Sequence, residues 1–488
     1  MFWIGSSMVG VGMRGTDVLV EGASARRAPA QGAMLTVLLS AMFMAQFDFF
    51  VVNVAAPTLA GRLHAGPASL ELIVGGYAFA YASGMITGGR LGDLFGYRRL
   101  FIVGMVGFAA ASLLCGVVGN PTELIVARLV QGFAAALMVP QVLAVITAVV
   151  PVEDRARALG WFGAATGLGS IAGQVLGGVL LNANVFGLGW RVIFLVNVPV
   201  GIVASVLAAR FLPVVRSRRG VRLDLVGAAG VAVSLALVLV PLTLGRGAGW
   251  PAWTWVCLGL AAVGVWVTGW WLRALRARGG QPVLDPSLLR VRSYLAGLGS
   301  NVAFMVYFGS FMFTLTLLLQ GGLGLSALGA GVAFLPMGLL YTGTALVGAG
   351  LVARFGIRVV VIGGVISALG LGVLAVVLRD GVSLGWVVVG MGLVGAGNGL
   401  VLPRLIGAAL ARIEPEQAGI GAAMLTTAQQ FASAAGVALI GGVFFAVLGP
   451  LARPDDYPGA MRVSALIDIG LLVVVLCALG YHHRANQR

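Results

Sequence analysis

Residues 42–57 read MFMAQFDFFVVNVAAP, a run that is apolar apart from Gln46, Asn53 and a single carboxylate, Asp48. Runs of this kind recur along nearly all of the 488 residues. Each is about twenty residues long, which at helical rise matches the hydrocarbon core of a bilayer. Hydrophobic residues make up 59% of the chain and charged ones only 10%, against about a quarter in soluble domains. No soluble domain of any size fits between the apolar runs, so the chain reads as an all-α integral membrane protein with the lipid bilayer as its main partner.

Breaks at proline, glycine and charge place helices near 34–56, 68–90, 100–118, 122–149, 157–181, 189–211, 224–244, 251–272, 294–320, 327–350, 358–378, 384–410, 417–448 and 462–481. Fourteen transmembrane helices put both termini on one side. All 31 basic residues are arginine. Arg62, Arg191, Arg246, Arg379, Arg453 and Arg462 fall in one set of loops, and the rest, apart from Arg128, fall on the other side. By the positive-inside rule, that arginine-rich side is cytoplasmic. It holds both tails, the VVRSRRGVR loop (214–222) and the loop over 273–292. Trp250, Trp253 and Trp255 at one end of the eighth helix, with Trp270 and Trp271 at the other, read as interfacial anchors.

LGDLFGYR (91–98) lines up with LVARFGIR (351–358) at an offset of 260 residues. The repeat divides the chain into a disordered tail (1–33), a six-helix bundle (34–211), two intervening helices with their linkers (212–292), a second six-helix bundle (293–482) and a short tail (483–488). Duplicated bundles around a midplane site are how secondary transporters build alternating access.

The net charge of +15 is spread between apolar segments rather than gathered on one face, which argues against nucleic acid as a partner. Cys115, Cys257 and Cys477 lie in separate apolar runs, so neither a disulfide framework nor a metal site is indicated. GxGxxG at Gly10, Gly12 and Gly15 lacks a preceding strand, and GxSxG at Gly381, Ser383 and Gly385 lacks a plausible base. No cofactor is expected, and an enzyme is disfavoured.

Four stretches carry a resemblance. GGRLGDLFGYRR (88–99) is similar to the loop between the second and third helices of the major facilitator superfamily. FDFFVVNVAAP (47–57), GWRVIFLVNVPVG (189–201) and GAGNGLVLP (395–403) resemble its fourteen-helix drug:proton antiporter branch. The resemblance implies efflux of small lipophilic compounds, and hence drug or antibiotic resistance, driven by the proton gradient across a bacterial cytoplasmic membrane. Export of one endogenous metabolite, proton symport and a transport-inactive sensor stay open as alternatives.

Candidate residues follow. In the loop motif, Gly89 and Gly92 allow close helix approach, Gly96 permits a tight turn, and Asp93 has Arg98 or helix-end amides as partners. The resemblance implies that these residues latch the bundles in one access state, and Tyr97 stands where relatives often have a basic residue. In the fifth helix Gly169, Gly173, Gln174, Gly177 and Gly178 resemble the antiporter motif of exporters, with Gln174 in place of the usual proline. The spacing of Gly169, Gly173 and Gly177 makes a packing groove, and the missing proline removes a kink.

Asp48 lies mid-helix, where a carboxylate is either protonated or paired, and either outcome suits a proton carrier. Its alternative is a structural hydrogen bond to Asn53 or to a neighbouring helix. Arg128, inside the fourth helix, needs a buried partner or else snorkels outward beside Glu123. The resemblance favours the first reading, in which Arg128 faces the cavity and takes part in proton coupling, and Arg128 is expected to tune the proton affinity of Asp48. Gln131 shares the Arg128 face. Phe47, Phe49, Asn53, Gln131 and Gln320 are taken as substrate-cavity residues, and Glu71 and Asp468 as the reserve acids.

Overall fold

The computed structural model describes residues 27–214, 223–245, 248–378, 383–410, 413, 418–449 and 451–487. Among the described residues there is no strand, and fourteen spans are long and apolar enough to cross a membrane. They are built from α1 (Arg27–Leu63), α2 (Pro67–Phe95), α3 (Tyr97–Val117), α4 (Pro121–Val149), α5 (Val152–Ala183), α6 (Asn197–Phe211), α7 (Leu225–Leu244) and α8 (Ala252–Ala277). The rest are α9 (Arg292–Leu317), α10 (Ala327–Phe355), α11 (Arg358–Val377), α12 (Leu384–Leu410), α13 (Ala418–Leu448) and α14 (Asp456–Gln487).

Hydropathy finds the hydrocarbon-spanning part of each helix, and the hydrogen-bonded helix runs past it. α1 starts at Arg27, inside the tail expected over 1–33, and passes Pro57, the expected stop, to end at Leu63. α14 begins at Asp456 rather than 462 and continues to Gln487, through the tail expected at 483–488. A membrane helix tolerates proline at the loss of one backbone bond. The expected helix over 189–211 is broken: a 3-10 turn (Gly189–Arg191) and a short helix (Val192–Leu195) lead into α6. Residues 1–26, with their GxGxxG, and nearly all of the 214–222 loop lie outside the described residues.

Helix pairing repeats between the halves. α1 packs on α5 as α9 packs on α13, α2 on α4 as α10 on α12, and α3 on α6 as α11 on α14. This makes two six-helix bundles, while α7 and α8 pair with each other and α7 leans on α2 and α13. Both copies of the repeated motif turn at a left-handed glycine, Gly96 (φ 89°) and Gly356 (φ 63°), where a side chain would be strained. The bundles meet chiefly along α2–α13 and α5–α10, contacts that the repeat interchanges.

The α5 glycines set how close these helices come. A Cβ at Gly169 would lie 2.7 Å from the Phe43 carbonyl oxygen, and one at Gly173 would lie 2.7 Å from that of Phe47. One at Gly177 would lie 2.7 Å from Val51. These three therefore seat α1, and Gly178, on another face of α5, abuts the Ala327 carbonyl at the start of α10. Gly331 returns the contact, with the Gln174 carbonyl oxygen 2.7 Å from where its Cβ would stand. α5 runs unbroken through Gln174, whose side-chain amide contacts Met312 of α9 across the bundle seam.

Candidate functional site

Asp48, Asn53, Arg128 and Gln131 are all buried, at 0%, 2%, 0% and 0% exposure. Arg128 is seven residues into α4, too deep to snorkel, and it pairs through Nη1 with Asp48 Oδ2. The outward alternative beside Glu123 is overturned: Glu123 instead accepts from the Gly119 amide at 3.0 Å, and its own amide donates to Asn120. The Asn53 alternative for Asp48 fails as well. Asp48 Oδ1 accepts from Gln131 Nε2 at 2.8 Å and from Asn197 Nδ2 at 2.9 Å, both on other helices.

Every hydrogen-bond partner of Asp48 is thus a donor, the environment of a carboxylate anion. Arg128 also donates from Nε to the Ile73 carbonyl (3.2 Å) and from Nη1 to Gln131 Oε1 (2.6 Å). Its guanidinium lies 4.4 Å from the Tyr77 ring centroid and 5.8 Å from that of Phe194, so aromatic faces cover the cation. Gln131 Nε2 reaches Ser112 Oγ at 2.8 Å. One polar knot therefore ties α1, α2, α3, α4 and α6 together, and nothing in it touches solvent.

Asn197, Ser112 and Tyr77 are the members that sequence reasoning missed. Asn197 stands inside the quoted GWRVIFLVNVPVG, and the signal was a lone amide in an apolar helix. The break before α6 leaves Asn197 at its first residue, beside Asp48.

The loop residues lie away from this knot. Asp93 accepts from Tyr97 Oη at 2.6 Å rather than from Arg98, and Arg98 donates to the Ala209 carbonyl at the end of α6. The reason is geometric: Gly96 closes α2 and restarts the chain as α3, which brings Tyr97 back over Asp93 and sends Arg98 outward. A Cβ at Gly92 would collide with Gln141 Oε1, whereas Gly89 has room, with Pro140 at 3.8 Å.

The residues expected to line a cavity are packed in this conformation. Phe47 stacks on Phe43 (6.2 Å between centroids), and Phe49 tilts against Tyr77 (6.2 Å). Gln320, in the π turn Leu318–Gly322 that ends α9, donates to the Val54 carbonyl of α1 at 2.8 Å. That bond joins the two bundles on the side opposite the termini. Deeper in, Phe50 of α1 meets Phe308 of α9 edge-on at 6.2 Å. The second bundle has a network of its own, in which Tyr307 (α9) and Asn398 (α12) bond each other and Ser367 (α11) donates to Asn398 Oδ1 at 2.9 Å.

Comparisons with known proteins agree with this architecture. The profile of the Major Facilitator Superfamily matches residues 38–225. A probable actinorhodin transporter of Streptomyces coelicolor is 39% identical over 88% of this chain and 75% of its own length. The chain belongs to the major facilitator superfamily. The puromycin resistance protein pur8 of Streptomyces alboniger is 36% identical over 91% of this chain and 88% of its own. Among solved structures, an inward-facing bacterial homologue of the human lysosomal transporter Spinster superposes with a TM-score of 0.63. The superposition covers 93% of this chain and 96% of that one at 15% identity, a likeness of fold. Members of this superfamily are secondary transporters, and the knot around Asp48 lies inside the first of the two bundles that define the architecture.

Proposed function

We propose that the protein is a proton-driven antiporter that exports a small lipophilic compound across a bacterial cytoplasmic membrane by alternating access. The observation that carries this reading is the fully buried Asp48–Arg128 pair. Asp48 takes up a proton when the bundle opens to the outside, which releases Arg128 from the pair, and gives it up when the bundle opens inward and the pair re-forms. No cofactor takes part, and the proton gradient supplies the energy. The arginine distribution supports cytoplasmic termini, and in that orientation the side joined by Gln320 and Val54 faces out. Phe47, Phe49, Asn53, Gln131 and Gln320 meet the substrate once the bundles part. Asp93, with Gly89, Gly96 and Arg98, acts at the cytoplasmic ends, where Asp93 leaves Tyr97 for the other bundle when that side closes.

The two relatives described above are each named for one antibiotic, which favours a narrow variant of the same reading: export of a single metabolite made by the host. A screen of resistance across dyes and antibiotics in cells expressing the protein separates the two, since a dedicated exporter protects against one compound class alone. For the mechanism, vesicles holding the purified protein are given a pH gradient, with ethidium and puromycin as probes. Asp48→Asn is expected to move neither faster than protein-free vesicles; gradient-driven movement by that variant would sink the assignment.

A further inference from the structure

A second carboxyl lies equally deep in the other bundle. Asp468 of α14 is fully buried, and its nearest hydrogen-bonding group is Ser310 Oγ of α9, 3.0 Å from Oδ1. Oδ2 has no hydrogen-bond partner among the described residues. The elements packed on α14 are α9, α11, α13 and the π turn. From α9 the titratable group facing it is Tyr307, the only such group on α11 is Arg358 at its first residue, and α13 and the π turn carry none. Among the described residues no cation pairs with Asp468.

The same Ser310 Oγ lies 2.8 Å from the Tyr307 carbonyl oxygen. A hydroxyl has one hydrogen to give. If it goes to that carbonyl, Ser310 offers Asp468 a lone pair, which only a protonated carboxyl can use. The chain Asp468 O–H to Ser310 Oγ, then Ser310 O–H to the Tyr307 carbonyl, satisfies each hydrogen. An ionised carboxylate here would have one shared donor and no countercharge, and an isolated buried carboxylate is far costlier than a neutral acid. Asp48 is its inverse, with only donors and an arginine around it. Hydrogen-bond surroundings this different favour opposite protonation states for the two acids.

The two helices involved are also the ones that the internal repeat relates to α1 and α6. The offset of 260 residues makes α9 the counterpart of α1 and α14 that of α6. In the first bundle the acid is on α1 and its amide donor, Asn197, on α6; in the second the acid is on α14 and its hydroxyl partner on α9. Ser310 stands two residues from the position the repeat assigns to Asp48, and Phe308 on the same helix lies in the bundle seam.

We propose that Asp468 is a second proton-binding site, neutral in the conformation described, so that the C-terminal bundle carries a proton of its own through each cycle. The carboxyl gains H⁺ from the outer solution and loses it to the cytoplasm, with no other bond made or broken. The proposal rests on the proton-coupled reading above and adds one proton to it.

Infrared spectra of the reconstituted protein at neutral pH test the state directly. The wild-type minus Asp468→Asn difference is expected to show the carbonyl stretch of a protonated carboxylic acid, sensitive to deuterium exchange and retained in Asp48→Asn. Absence of that band overturns the proposal. Should Asp468→Asn fail to insert, Ser310→Ala keeps the carboxyl and removes its partner, and the band is expected to shift in frequency; an unmoved band counts against the proposal. In vesicles loaded with ethidium and a pH dye, Asp468→Asn is expected to move one proton fewer per ethidium than the wild type. Wild-type vesicles that move ethidium without protons would overturn the coupled reading and this one together. A coupled wild type whose ratio Asp468→Asn leaves unchanged overturns this one alone.

Discussion

Asn197 Nδ2 donates to Asp48 Oδ1 at 2.9 Å, so the first residue of α6 orients the acid of α1. A hydrogen bond to a charged group contributes about 1.5–3 kcal/mol. Asn197→Leu is expected to weaken proton-driven ethidium efflux by roughly tenfold or more at unchanged protein level, because the Asp48 anion loses a donor. A pH profile of efflux is the discriminating measurement: a residue that merely packs would lower the rate without moving the profile.

Arg128 and Asp48 form a pair with no exposed atom, and removing one partner strands the other's charge. Arg128→Met alone should cost about 3–5 kcal/mol, and Asp48→Leu with Arg128→Met distinctly less, since no unpaired charge remains. Denaturant unfolding in detergent of the two singles and the double reads the difference, and strictly additive losses would contradict the pairing.

Close packing of α5 on α1 depends on missing side chains. Gly173→Ala puts a Cβ 2.7 Å from the Phe47 carbonyl and 2.9 Å from Phe50 Cβ, and is expected to destabilise by about 1–3 kcal/mol. Gly163→Ala, ten residues earlier on the same helix with nothing within 4 Å, should be neutral. Thermal melts of the two variants give the comparison.

Gln320 joins the bundles through the Val54 carbonyl, and one net hydrogen bond is worth about 0.5–1.5 kcal/mol. Gln320→Leu is therefore expected to shift the access equilibrium a few-fold away from the conformation described. Spin labels at His64 and Leu325, on the turns at that side, should report a larger share of long distances.

Proline at 403 leaves the Gly399 carbonyl without its helical amide, and Arg404 Nη1 fills the gap at 2.8 Å while Nη2 reaches the Ala345 carbonyl at 3.1 Å. Arg404→Met should destabilise by about 1–3 kcal/mol. Adding Pro403→Ala, which restores the backbone donor, should recover part of that loss in the same unfolding assay.

The fold was legible because a bilayer demands long apolar helices, and fourteen such runs recur in the chain. Helix ends were not, since the starts expected at Met34 and Arg462 and the stop expected at Pro57 all lie within hydrogen-bonded helix. Asp48, Arg128 and Gln131 stood out as polar residues in apolar surroundings. Arg128 was expected to tune Asp48, but the direct bonds of Arg128 and Gln131 to that acid were not readable, as α1 and α4 are far apart in sequence. Asn197 escaped because its helix is broken one residue before it, a feature that the smooth apolar pattern of GWRVIFLVNVPVG conceals. Tyr97 escaped as the partner of Asp93 because a charged neighbour, Arg98, drew the attention.

α5 touches α1 through Gly169, Gly173 and Gly177, and meets α10 where Gly178 faces the Ala327 carbonyl and Gly331 faces that of Gln174. At those glycines of the second contact backbone rests on backbone, while further along the helices the Ile171 side chain of α5 seats over Gly338 of α10. The Gly178 and Gly331 end behaves as a bearing on which one bundle can turn, and the Ile171 seat must empty before the helices part. Even one methyl group added there would convert the bearing into a detent.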